Sequence, residues 1–285
     1  MNGKSSRSDQ DGHEFDLSDR EFEQLKKIVS EQTGIVMTDA KRNMVYGRLA
    51  RRLRALKIDS FTRYIQLIEK DENELVNFIN SVTTNLTAFF REKHHFEYLH
   101  DKLLPQLVAN NQQSRKIRIW SAGCSTGEEP YSLAITVKRF FESYPGWDVT
   151  ILATDIDTNV IAKAASGIYT EDRIEGLSPE LVKRWFVKGK GGKIGMVKVR
   201  RELQEIIHFD QLNLLQPWPT QASFDLLFCR NVVIYFDKPT KVKLFEKYAD
   251  VLASKGHLFI GHSETLFQIS DRFDALGGTI YQKKV

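Results

Sequence analysis

The run Gly123-Cys124-Ser125-Thr126-Gly127-Glu128-Glu129-Pro130 follows a β-rich stretch, Ile117-Arg118-Ile119-Trp120-Ser121-Ala122, and precedes a helical pattern. A glycine-rich turn between a parallel strand and a helix start lets free backbone amides approach a ligand, and nucleotide binding is the chemistry this implies in general. Such turns also occur for packing alone. Gly123 to Gly127 match G-x-S-x-G as well, the elbow that presents a nucleophilic serine in hydrolases. Ser125 would then need an acid and a later histidine, and Asp225 or Asp237 followed by His257 or His262 have that order. Glu128 and Glu129 weigh against it, because two carboxylates beside an oxyanion hole oppose the developing negative charge. Further on, Ala153-Thr154-Asp155-Ile156-Asp157 ends a second β-rich run. A carboxylate at the carboxyl end of a second strand is where a nucleoside ribose presents its hydroxyls, so Asp155 is the ribose candidate and Asp157 the helix cap. A later run, Phe224–Cys229, leads into Arg230-Asn231-Val232-Val233-Ile234-Tyr235-Phe236-Asp237, again at the edge where open α/β sheets hold ligands.

These residues need a scaffold, and the periodicity supplies one. Ser18 with Glu21 reads as a capping box opening a helix that carries Phe22, Leu25, Ile28 and Val29 on one face. Helices follow at about 40–57, 61–70 and 73–81, with no strand-like alternation between them, so the chain up to about 90 is expected to be a small helical domain. After Pro105, strands at 116–122, 149–154, 206–209, 224–229, 256–261 and 278–282 alternate with helices at about 129–143, 157–165 and 239–253. That rhythm predicts an open, mostly parallel, Rossmann-like sheet with helices on both faces. Residues 167–205 interrupt it, and their Gly189-Lys190-Gly191-Gly192-Lys193 segment between two β-rich pieces predicts an inserted antiparallel hairpin. The expected division is a flexible tail at 1–14, a helical domain with linker at 15–90 and a catalytic domain at 91–285.

Bulk properties exclude several classes. A net charge of +4 over 285 residues does not argue for a nucleic-acid binder, and no apolar run approaches the length of a bilayer span. The polar start lacks signal-peptide character, and two cysteines, Cys124 and Cys229, are too few for a disulfide framework. A cytoplasmic protein with free thiols is expected, with nothing demanding more than a monomer.

Thr84-Asn85-Leu86-Thr87-Ala88-Phe89-Phe90-Arg91-Glu92, Ser125 to Ser132, Ala153 to Asp157, Asn213-Leu214-Leu215 and Cys229-Arg230-Asn231-Val232 together resemble the CheR family of chemotaxis receptor glutamate methyltransferases, in order and over nearly the whole chain. The resemblance implies a helical domain joined to an S-adenosylmethionine-binding α/β domain with a small β-subdomain. It implies cofactor contacts at Asn85, Thr87, Arg91, Glu129, Asp155, Asn213, Leu214, Arg230 and Asn231, and a methyl-transfer centre at Arg91 and Tyr235, with S-adenosylhomocysteine as product and no metal. The chemistry is compatible: a glutamate carboxylate is already ionised at neutral pH, so the enzyme has mainly to position it. Arg91 would anchor the cofactor carboxylate or the incoming glutamate, and Tyr235 would orient the reacting groups.

Substrate recognition has its own candidate. Between Asp39 and Asp59, KRNMVYGRLARRLRALK holds seven basic residues and no acid; Val45, Leu49, Leu53 and Leu56 form a stripe, with Lys41, Arg48, Arg51 and Arg52 along one flank. A solvated face or a phosphate-binding face would read the same way. The resemblance implies that this domain faces the methylation region of the receptor's cytoplasmic signalling domain, an acidic helical surface that a basic flank complements. It also implies, for some members, that the β-subdomain tethers the receptor's C-terminal tail by strand addition, recruiting the enzyme to membrane receptor arrays.

Overall fold

The computed structural model describes residues 14–218 and 223–285, so the expected tail lies outside the described residues except for Glu14. The chain divides into two compact units: one runs to Gln32 and resumes over Val36–Thr83, the other takes Thr33–Ile35 and Thr84–Val285.

The first unit is helical, with α1 (Asp19–Thr33) reaching its end, then α2 (Arg42–Leu56), α3 (Phe61–Ile68) and α4 (Glu72–Val82). Side-chain caps set the starts. The Ser18 hydroxyl accepts from Glu21 N while Glu21 Oε2 accepts from Ser18 N, and Ser60 and Asp71 cap α3 and α4. Phe22, Leu25, Val29, Val45, Leu49, Leu53, Phe61, Tyr64 and Phe78 are buried as the core. One charge is buried with them: Glu74 accepts from Arg52 Nε and from the Tyr64 hydroxyl, each at 2.8 Å.

The second unit begins with a helical run, α5 (His94–Tyr98), a π-helical turn (Leu99–Leu103) and α6 (Leu104–Asn110). Strands β1 (Lys116–Ala122), β2 (Asp148–Asp155), β3 (Ile168–Thr170), β4 (Phe186–Lys188), β5 (Met196–Val199), β6 (Ile207–Gln211), β7 (Phe224–Cys229), β8 (Leu252–Ile260), β9 (Phe273–Gly277) and β10 (Ile280–Lys283) follow. Between them lie α7 (Glu128–Phe141), α8 (Thr158–Ser166), α9 (Pro179–Trp185), α10 (Arg201–Gln204) and α11 (Lys238–Val251). The main sheet has the order β6-β2-β1-β7-β8-β10-β9, parallel except for β10, which pairs antiparallel with both neighbours. Because β2 lies on one side of β1 and β7 on the other, the winding reverses there, opening a crevice at the carboxyl ends of these strands.

Alternation along β1 divides the core. Ile117 and Ile119 join a cluster with Phe96, Leu99, Leu103 and the α7 residues Leu133 and Ile135, whereas Trp120 and Ala122 face Leu244, Phe245 and Tyr248 of α11. The expected two-stranded hairpin is a three-stranded sheet, β3-β5-β4, because Ile168–Thr170 adds a strand beside β5. It has no separate core: Tyr169, Phe186, Val197 and Val199 are buried in the same cluster as β1 and α7.

Candidate active site

The glycine-rich turn is shaped by two positive-φ glycines. Gly123 (φ +87°) lies where a Cβ would come within 2.3 Å of Val232 Cγ2, and Gly127 (φ +98°) where it would meet Ala164 Cβ and the Tyr169 hydroxyl, both at 2.8 Å. Gly123 N and Cys124 N both donate to Thr154 O, at 2.8 and 2.9 Å, which stitches the turn to the end of β2. Ser125 is itself left-handed (φ 49°); its amide donates to Asp155 Oδ2 at 2.8 Å and its hydroxyl to Asn85 O at 3.0 Å.

Asp155 accepts on both oxygens, from Ser125 N and, at 3.0 Å, from Asp157 N. Each carboxylate oxygen has a further lone pair, so two hydroxyl donors can still be met. Asp157 caps α8, and its second oxygen accepts from Asn85 Nδ2 at 2.8 Å. Leu212 N donates to Asp155 O at 2.9 Å, so Asn213 and Leu214 leave β6 beside that carboxylate. Lys247 holds them from below, donating to Leu214 O and Gln216 O at 2.8 Å each, over the Trp218 ring; burial lowers its ammonium to about 8.

Arg230 gathers the other side. Its side chain is 2% exposed, with Nη1 3.1 Å from Glu129 Oε2 and Nη2 3.2 Å from Glu92 Oε2, and it donates to Arg91 O. Burial pushes the Glu129 carboxyl up, while Arg230 and the Ser121 hydroxyl, 2.7 Å away, oppose the rise. Burial would also raise Glu92, but hydrogen bonds from His262 and the charge of Arg230 hold it at about 2. Arg91 is half-buried, and its guanidinium donates to Leu86 O at 3.0 Å. Glu128, fully buried, pairs with Arg173, which also donates to Thr87 O at 2.8 Å. Tyr235 ends the short helical turn after β7, half-buried at the same edge of the sheet.

The hydrolase alternative fails on placement. The Asp225 carboxylate is occupied by Arg118 N and Asn111 Nδ2 near the start of β7, and Asp237 caps α11. His257 is buried on β8, and His262 bonds Glu92, so neither completes a triad with Ser125.

Residues 85–282 match the family described as "CheR methyltransferase, SAM binding domain" and residues 20–83 that described as "CheR methyltransferase, all-alpha domain". The chain belongs to the CheR methyltransferase family. It is 44% identical over 269 residues to the "Chemotaxis protein methyltransferase" of Escherichia coli (strain K12), covering 93% of this chain and 91% of that protein. It is 42% identical to "Chemotaxis protein methyltransferase 2" of Pseudomonas aeruginosa (94% of each chain) and 39% identical to the "Chemotaxis protein methyltransferase" of Borreliella burgdorferi (88% and 90%).

The donor set of this CheR domain fits S-adenosylmethionine. Asp155 has acceptor capacity left at the end of β2 that a ribose diol could use, Arg91 carries a guanidinium of the kind that binds a carboxylate, and Glu129 and Glu92 add negative charge to the edge, where Arg230 pairs with both. Asn85, Arg91, Glu129, Asp155 and Arg230 are brought to one edge through the contacts above, with Thr87 joined by way of Arg173 and Asn231 following Arg230 in the turn after β7. Arg230 acts there as an internal strut, not an open ligand arm. Leu214 buries its side chain against the α11 core, and its carbonyl is taken by Lys247 Nζ and Trp218 Nε1.

Sequence reading missed Glu92, Arg173 and Glu264. Buried acids demand buried partners, so Glu128-Glu129 at a helix start signalled that two cations were owed, though not which. Glu264 gave no signal: it follows β8 in an ordinary polar stretch, yet its carboxylate accepts from Asn231 N, Ile234 N and Gly261 N.

Proposed function

We propose that the protein transfers the methyl group of S-adenosylmethionine to glutamate side chains of chemotaxis receptors, forming methyl esters and releasing S-adenosylhomocysteine. The observation that carries the reading is 44% identity to a chemotaxis protein methyltransferase across 93% of this chain; the charged site at the switch of the sheet supports it. Bound, the cofactor supplies an electrophilic methyl on a positive sulfur. The protein's own share is to orient and to exclude water. Asp155 and Asn85 hold the nucleoside side through the turn at Ser125, Arg91 anchors a carboxylate, and Tyr235 aims the acceptor oxygen with its hydroxyl. No residue need remove a proton, since the glutamate is ionised well below neutral pH.

On α2, Arg48 donates to Ser81 O and Thr83 O and Arg51 to Gly47 O, backbone acceptors that leave both positive charges uncompensated. This supports a role for the Lys41, Arg48 and Arg51 side of the helix in meeting an acidic receptor helix. Arg52 is spent on Glu74 and is removed from that face. The edge of β4, where Val187 is half exposed, suits strand addition by a receptor tail. Among the described residues no helix is long and apolar enough to cross a membrane. In this reading a cytoplasmic monomer reaches receptor arrays through such contacts.

Labelled methyl transfer from S-adenosylmethionine to receptor-containing membranes tests the reading, with base treatment to release methanol from carboxyl esters. Base-labile label on receptor glutamates is expected. Absence of transfer with membranes of the matching organism, despite tight S-adenosylhomocysteine binding, would overturn the substrate.

A further inference from the structure

We infer that Glu264 is a positioning residue of the methyl-transfer site, acting through the turn that carries Asn231 and Tyr235. The inference rests on the methyltransferase reading and adds a residue to it. The turn leaves β7 with Asn231 in the left-handed region (φ 59°), a conformation uncommon outside glycine but one that asparagine adopts more readily than most.

The Glu264 carboxylate fixes that turn in place. It is 7% exposed and reaches across from the loop after β8, Oε2 accepting from Asn231 N at 3.0 Å and from Gly261 N at 2.5 Å, Oε1 from Ile234 N at 3.2 Å. The two amides of the turn are three residues apart, so one side chain fixes both ends of the segment immediately before Tyr235. The fit is close on the other side too. A Cβ on Gly261 would come within 2.4 Å of Asn231 Nδ2 and 2.9 Å of Glu264 Oε2, so glycine at 261 is what lets the two loops close on the carboxylate.

The amides of Asn231, Ile234 and Gly261 donate to it, the Val233 N–H also faces it, and among the described residues Glu264 makes no ion pair within 4.0 Å. An acceptor-only carboxylate is therefore the group that fits. A glutamine of equal size would turn an NH2 toward at least one amide and leave that N–H buried without an acceptor. An aspartate would keep the charge but withdraw it by one methylene.

The test compares wild type, Glu264→Gln, Glu264→Asp, Tyr235→Phe and the Glu264→Gln/Tyr235→Phe double variant. Amide hydrogen exchange over 230–236, S-adenosylhomocysteine calorimetry and receptor methylation are measured on each. For Glu264→Gln the expected result is a thermal midpoint within a few degrees of wild type, exchange at Asn231 and Ile234 faster by tenfold or more, and kcat lower by about tenfold. Receptor KM should change by less than threefold, and Glu264→Asp should fall between. The double variant should turn over within twofold of Tyr235→Phe alone, since the clamp acts through that tyrosine. Wild-type kcat in folded Glu264→Gln, unchanged exchange over the turn, or losses that simply multiply in the double variant would overturn the inference. If the wild-type chain itself methylates no receptor, the substrate reading fails, while exchange over the turn still decides whether Glu264 holds it.

Discussion

Arg230 lies between Glu129 and Glu92 with 2% of its side chain exposed, so two buried carboxylates depend on it for compensation. Removing one partner of such a set strands the others, at a cost of about 3–5 kcal/mol. Arg230→Ala should accordingly unfold at clearly lower urea than wild type, and a midpoint unchanged within error would show the charges to be relieved some other way. Tyr235 differs because it sits at the rim. Tyr235→Phe should keep S-adenosylhomocysteine affinity within about twofold and lower methylation turnover by at least tenfold, as expected of general orientation effects; full turnover would sink its role. At this scale the sequence was legible where a residue type announces its task at a strand end, as Asp155 and Asp157 do. It was illegible where a task depends on what folds up against the residue. Nothing in the neighbourhood of Arg173 or Glu264 announces that Glu128 or the 231–234 amides will lie against them.

Elements with a complete local signal were readable to within a few residues. β1 and β7 occupy the expected 116–122 and 224–229, β1 as β-rich alternation of Ile117, Ile119 and Trp120 with polar residues and β7 as a mostly apolar run. The helical run over 94–110 was missed, although Phe96, Leu99, Leu103 and Leu107 carry helical spacing, because Pro105 reads as a breaker. The π-helical turn removes the conflict. Leu104 N donates to Leu99 O, five residues back, so the ladder is already offset where Pro105 lacks a donor. β9 escaped because only Phe273 of its five residues is buried, and an edge strand so exposed shows no alternation. On α2 the like-charged arginines separate by partner. Arg52→Ala would leave Glu74 buried beside Tyr64 and should cost about 3 kcal/mol of stability in urea unfolding. Arg51→Ala, at an exposed position, should cost under about 0.5 kcal/mol and show its effect on receptor methylation alone. Equal loss of stability in both would refute the division.

For the molecule as a whole, pH acts through buried imidazoles and, in the opposite sense, through Glu129, Asp155 and Glu264, whose carboxyls burial raises. Burial holds both His95 and His257 at about 4. Above pH 6.5 folded and unfolded chains are alike in leaving them neutral. Between 6.5 and 4 the unfolded chain takes up protons that the folded chain refuses, so stability falls as pH falls through that window, by at most about 3 kcal/mol for each histidine. Glu92 acts in a separate window: its depressed carboxyl contributes stability above about 4.5 that is lost toward 2. Between pH 7 and 5 the wild type should lose more stability in urea unfolding than His257→Gln does; equal changes in both would exclude His257 as a source.

The last strand in sequence, β10, is an interior one, seated between β8 and β9. Until β10 is seated, β8 therefore has one row of amides and carbonyls unpaired, and the half-built sheet offers that row to any extended chain nearby.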